Sequence, residues 1–153
     1  MSYFIEKCIY PDEYLGEKLG YQIRNEEYEM FWVNLWLSRL KEKTARQYGY
    51  KLCKFINYIN ERGLNYLQAN EAHLDNFIMN TRYKGKNFLF SISENTASYS
   101  TIMSYVYAIT DFYSFLNKLN KDLNIKVDHI KKKMRSIHSY IRLRGIKSRL
   151  NYT

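Results

Sequence analysis

Apolar positions recur at helical spacing in four stretches of this chain of 153 residues. Between about Asn25 and Leu40, Phe31 and Leu35 with the neighbouring Trp32, Trp36 and Leu37 repeat with helical period. They follow an acidic lead, Glu26, Glu27 and Glu29, which suits the positive end of a helix dipole. From Thr44, a candidate N-cap, Tyr48, Leu52, Phe55, Ile56 and Ile59 form one stripe, and Gly63 just past Arg62 reads as a stop. Asn70 predicts the cap of a third, shorter helix that has Glu71 in its first turn, Leu74, Phe77 and Ile78 on one face, and an end near Asn80. From Ser98 or Ser100, the series Ile102, Val106, Ile109, Tyr113, Leu116 sustains a fourth. The expected fold is therefore all-α, a compact four-helix bundle.

Pro11 is the single proline and the six glycines are scattered, so breakers are few and helices are favoured. Residues 81 to 97, with Lys84, Gly85 and Lys86 ahead of the cluster Phe88, Leu89, Phe90, read as a long connection of the kind that often carries function; a short hairpin within it stays open. Beyond Asn120 the register breaks. Ile130, Met134, Ile137 and Ile141 then resume it among Lys131, Lys132, Lys133, Arg135, Arg142 and Arg144, which predicts an additional basic C-terminal helix or linker, capped by Asp128 and stopped at Gly145. The chain divides into an N-terminal extension over 1–24, a helical domain over 25–120 and a basic segment over 121–153.

Composition adds little to that picture until charge is considered. Apolar residues at 46%, charged residues at 25% and a mean hydropathy of -0.53 are those of a globular protein. The longest apolar-rich run, Met30 to Leu37, is too short to span a bilayer, and the N-terminus lacks the basic start and apolar core of a signal peptide, so a cytoplasmic location is expected. Cys8 and Cys53 stand far apart, without a Cys-x-x-Cys pair or a nearby histidine; neither a disulfide framework nor a zinc site is indicated, and Cys53 is expected as a packing residue. Twenty-four Lys and Arg against fifteen Asp and Glu leave +9, distributed as -4 over residues 1–30, +5 over 31–120 and +8 over 121–153. Such a field attracts polyanions, whether DNA, RNA or anionic lipid.

The inventory for catalysis is poor. His73, His129 and His138 form no metal or triad spacing, no Gly-rich phosphate loop is present, and paired carboxylates such as Glu26–Glu27 and Asp12–Glu13 read as solvated clusters. No enzyme activity, cofactor, metal or small-molecule substrate is therefore expected. Cations interleaved with aromatic and amide groups are plentiful instead. On the helix from Thr44, the apolar stripe leaves Arg46, Gln47, Tyr50, Lys51, Lys54, Asn57 and Tyr58 on the opposite side, preceded by Lys43. Arg and Lys suit phosphates, and the paired donor and acceptor of Gln or Asn can read an adenine edge in a major groove.

Three runs carry a family resemblance: Thr44-Ala-Arg-Gln-Tyr48-Gly-Tyr-Lys-Leu52-Cys-Lys-Phe55, then Asn70-Glu-Ala-His73-Leu74-Asp-Asn-Phe77-Ile78, then Ser100-Thr101-Ile102 through Phe112-Tyr113-Ser-Phe115-Leu116. In order and spacing they resemble the N-terminal core-binding domain of tyrosine recombinases, the phage integrase family. The resemblance covers about Asn25 to Asn120. It implies a SAM-like four-helix domain that forms one jaw of a clamp on a recombination half-site, with double-stranded DNA and other recombinase protomers on that DNA as partners. Carried over by position, it implies DNA contacts from Lys43, Thr44, Arg46, Gln47, Tyr50, Lys51 and Lys54, from Ser100, Thr101 and Ser104 around the start of the last helix, and from Lys84 and Lys86 in the long connection. Tyr48, Leu52, Phe55, Ile109 and Tyr113 match core positions. The catalytic set of that family is missing: His138-Ser-Tyr-Ile141 is not a His-x-x-Arg, and no tyrosine has the other members around it. The chain thus resembles a recombinase piece without its catalytic domain, with 121–153 as the linker and strand cleavage expected to be absent. The competing expectation is a helical regulatory protein whose basic segment, Ile130 to Arg144, binds an acidic partner or an anionic membrane surface.

Overall fold

The computed structural model describes residues 2–12, 14, 16–82, 99–119 and 125. Two strands, β1 (Phe4–Asp12) and β2 (Gly16–Arg24), precede four helices, α1 (Phe31–Ser38), α2 (Glu42–Asn60), α3 (Glu71–Arg82) and α4 (Tyr99–Leu119). The architecture is therefore mixed α and β. The all-α expectation fails at the N-terminal extension, which is an antiparallel hairpin paired in continuous register from Phe4 with Arg24 to Asp12 with Gly16. A search for helical period overlooks it because its alternation is blurred. Phe4, Cys8 and Tyr10 alternate with Ile5, Ile9 and Pro11, so both faces carry apolar groups with charges interspersed.

The hairpin is fastened to the helices through its backbone. Asn34 on α1 accepts from the Ile23 N–H at 2.8 Å and donates to the Ile23 carbonyl at 3.2 Å. Asn57 on α2 does the same to Tyr3, accepting from its N–H at 2.7 Å and donating to its carbonyl at 2.9 Å. Each side-chain amide takes the place of a neighbouring strand residue, satisfying a donor and an acceptor that would otherwise face protein unpaired. Lys18 adds a third tie, its ammonium donating to the Ser38 and Leu40 carbonyls at 2.9 Å each, where α1 ends and its last carbonyls lack helical partners. Close approach requires Gly49: a Cβ there would stand 2.6 Å from Ile5 Cδ1 and 3.2 Å from Leu37 Cδ2. Ile23 is thereby buried completely among the helical side chains.

Local signals explain the helix ends, with two corrections. The acidic lead is outside the first helix: the Asn25 carboxamide oxygen accepts from the Glu27 and Tyr28 N–H groups, and the Arg24 backbone bridges to Glu29, so residues 25–30 make a turn and α1 starts at Phe31. Its buried face is also shifted. Val33, Trp36 and Leu37 enter the core, whereas Phe31 is 66% exposed. On α2 the N-cap is Lys41 and Thr44 lies within the first turn, behind Glu42, which pairs with Lys7 at 3.6 Å. The helix stops at Asn60, and Gly63, at a φ of 75°, donates to the Asn60 carbonyl at 3.0 Å. At α3, Asn70 accepts from the His73 N–H and His73 Nδ1 accepts from the Asn70 N–H, both at 3.0 Å, a reciprocal cap with histidine in the usual place of glutamate.

The core is aromatic at its centre. Phe55 of α2 packs edge-on against Phe77 of α3 and Tyr113 of α4, at 5.2 and 6.2 Å. The Tyr113 hydroxyl donates to the Tyr66 carbonyl at 2.7 Å, and Trp36 packs on Phe112 while its indole N–H donates to Asp111 at 2.9 Å. Leu52, Phe55, Ile109 and Tyr113 are buried, and Tyr48 is half-buried, its ring stacked 6.3 Å from that of Trp36. Ile125 is also fully buried, its carbonyl accepting from Asn117 at 3.2 Å.

Asn34→Ala and Asn57→Ala are each expected to lower unfolding free energy by about 1–3 kcal/mol, since each strands a backbone donor and acceptor. Urea denaturation checks this, and a change near zero for both would mean that water replaces the amides.

Candidate nucleic-acid interface

The hairpin covers α2 at Gly49 in the middle of the helix and reaches Asn57 in its last turn, α4 packs on another side, and the arc ahead of Asn57 is left open to solvent. Lys43, Arg46, Gln47, Tyr50 and Lys54 are exposed there, and Lys51 is half-buried at the edge. At 3.6 residues per turn these six occupy about 140° of the circumference, so they form one strip along the helix. Thr44 is half-buried beside it. Asn57 and Tyr58, expected on the same open side, are otherwise engaged. Asn57 clamps Tyr3, while Tyr58 packs on Phe77 at 5.3 Å and under the Arg62 guanidinium at 3.4 Å. The usable strip is narrower by those two residues.

Electrostatics favour an anion on this strip. Among the described residues, Lys7 pairs with Glu42 and Arg24 with Glu6 at 3.4 Å, while Lys43, Arg46, Lys51 and Lys54 make no ion pair. Lys54 lies with its ammonium 4.7 Å from the Tyr50 ring centroid and 6.0 Å from that of Tyr105. Hydrogen bonding to the Tyr50 phenol holds its pKa above the ordinary lysine value, so the charge is kept. Tyr105 brings the start of α4 beside the strip. Thr101 is exposed one turn before it, Ser100 is also exposed, and the half-buried Ser104 donates its hydroxyl to the Thr101 carbonyl within the helix. Ser100 and Thr101 are thus close in sequence to a residue that lies beside Lys54, and Ser104 has its proton committed. Lys84, Lys86 and the basic segment of the competing reading, Ile130 to Arg144, lie outside the described residues.

Residue order alone does not mark Tyr105 for this place. It sits in the buried series of α4, and only the packing of two helices brings it to Lys54.

An open groove of about 450 Å³ lies between the hairpin and α1 and is lined by residues that include Tyr10, Gln22, Glu29, Phe31, Leu35 and Ser38. Its one carboxylate has no acid–base partner among these side chains, and the Tyr10 hydroxyl is spent on the Tyr21 carbonyl at 2.6 Å. Both thiols are free and pushed in the direction opposite to that of a nucleophile. Burial raises Cys8, and it pushes Cys53 up to about 11. Burial likewise raises the phenols of Tyr10 and Tyr113 and pushes Tyr66 up to about 12. No three His, Cys, Asp or Glu converge on a common point among the described residues, and none of their helices is long and apolar enough to cross a membrane. Comparison with protein-family models, with curated proteins and with solved structures finds no match.

The buried thiol and phenol give an alkaline limit to stability. Because the folded-state pKa of Cys53 (about 11) lies above an ordinary thiol value of 9.0, and that of Tyr66 (about 12) above 10.0, the unfolded chain loses its protons first. Stability is expected to be fully present below pH 9 and to decline as pH rises towards 11 and 12. Urea midpoints measured from about pH 7 to about pH 11 check the decline. Iodoacetamide pulses at about pH 8 are expected to spare Cys53 until the protein unfolds.

Proposed function

We propose that this chain is a duplex DNA-binding module, of the kind that grips a recombination half-site in tyrosine recombinases, and that it does not itself cut DNA. The observation that supports this most directly is the strip on α2, where four cations without a carboxylate partner among the described residues alternate with an amide and a phenol on one open face. A cationic face with no acidic partner is ready to replace the counterions of a phosphate backbone, and that exchange dominates the affinity of such modules. Lys43, Lys51 and Lys54 neutralise phosphates. Arg46 and Gln47, near the middle of the strip, carry the paired donors and acceptors that discriminate base edges when a helix lies in a major groove. Ser100 and Thr101 add hydroxyls beside the first N–H groups of α4, which attract phosphate. The affiliation with recombinases rests on the three sequence runs, and other protomers bound to the same site would be the natural neighbours.

Replacing Lys51 and Lys54 with Ala is expected to weaken binding to every duplex alike and to make the slope of log K against log salt shallower by about 0.9 for each phosphate that is no longer neutralised. Fluorescence anisotropy titrations from low to high salt measure both effects. Affinity that ignores salt would sink the electrostatic mechanism. With a supercoiled plasmid carrying a candidate site, no nicked or covalently linked product is expected.

A further inference from the structure

The strip contains one cation that differs from the rest. Among the described residues, the Lys54 ammonium alone of the four lies against aromatic rings, and those rings come from two different helices. Tyr50 is half exposed beside it on α2. Tyr105 belongs to α4 and is only 8% exposed, its ring packed edge-on against Phe77 at 5.8 Å. A residue so buried cannot lie along a DNA backbone, yet the centroid of its ring stands 6.0 Å from the Lys54 ammonium on the open face. Neutral phenols suit this role better than carboxylates, because they accept hydrogen bonds from an ammonium without cancelling its charge. An ammonium carries three N–H donors, so two phenols still leave one for a phosphate oxygen. A lysine side chain is otherwise a flexible stem that must be ordered when it binds, and restraint before binding lowers that cost.

We propose that Tyr105 is a positioning residue for nucleic-acid binding: from within the seam of α2 and α4 it holds the Lys54 ammonium, jointly with Tyr50, in the place where a backbone phosphate is received. The proposal rests on the DNA-binding reading of the α2 strip. It makes the packing of α4 on α2 part of the binding device, so the strength with which Lys54 holds a phosphate depends on a buried hydroxyl that never meets the ligand.

Tyr105→Phe keeps the ring and its packing on Phe77 and removes only the hydroxyl. At a fixed moderate salt concentration it is expected to weaken duplex binding about threefold to tenfold, the range for the net loss of one ordinary hydrogen bond, since the hydroxyl acts on the phosphate only through Lys54. In a Lys54→Ala background the same substitution is expected to change nothing, because the group it positions is gone. A purely structural effect of the hydroxyl would instead weaken binding equally in both backgrounds, and that result overturns the proposal, as does a silent Tyr105→Phe in the otherwise unaltered protein. If the unaltered protein binds no duplex at any salt concentration, the DNA-binding reading itself has failed. If it binds and Lys54→Ala weakens it while Tyr105→Phe does not, only the positioning role has failed. Nitrogen-15 relaxation of the lysine ammonium groups, recorded without DNA, gives a second readout. Lys54 is expected to be more restrained than Lys43 and Lys51, and to become as mobile as they are in Tyr105→Phe; equal mobility of all three in the unaltered protein overturns the proposal.

Discussion

Two asparagine side chains decide how this molecule is assembled. A two-stranded hairpin is marginal alone in water, and here it must be held against helices that offer it no third strand. Asn34 and Asn57 supply the missing partner, one to Ile23 near the end of β2 and the other to Tyr3 just ahead of β1. Because the two amides sit on different helices, they fix the hairpin to both α1 and α2. They thereby orient Ile23 into the core and bring Ile5 down onto Gly49. The open face of α2 is what remains after these attachments are made.

That remainder explains why the cations occur where they do. The buried arc of α2 runs through Ala45, Gly49, Leu52, Cys53, Phe55, Ile56 and Ile59, covered by the hairpin, the first helix, α3 and α4. A helix covered on so many sides has a single strip left on which charge is easily solvated, and Lys43, Arg46, Lys51 and Lys54 fall on it. Solvation alone would account for charged residues there. It would not account for the lack of carboxylate partners among the described residues or for the approach of Lys54 to a buried phenol of another helix, and these two features favour an anionic ligand.

Much of the helical part is legible from residue order. The stripe of α2, the stop near Gly63, the Asn70 cap and the long apolar series of α4 all correspond to elements of the structure, because each rests on local geometry or on a period sustained over several turns. What escapes depends on pairings between distant residues. The hairpin has apolar groups on both faces and so no clear alternation, and Asn57 reads as an exposed amide until Tyr3, 54 positions away, is seen to occupy it. The acidic lead suggests an earlier start for α1 than the structure has, because Asn25 captures N–H groups that would otherwise open a helix. The strip on α2 follows from helical angles, whereas its link to Tyr105 does not.

The uneven distribution of charge has a directional consequence. The hairpin and the turn after it carry Glu6, Glu17, Glu26, Glu27 and Glu29, and they attach to α2 at Gly49, outside the arc of the strip, and at Asn57, one turn past Lys54 near the end of the helix. A body charged in this manner experiences a torque in the field of a polyanion: the acidic end is repelled while the cationic side is drawn in. Rotation during approach would then precede contact, so that a larger share of encounters begins with the productive side leading.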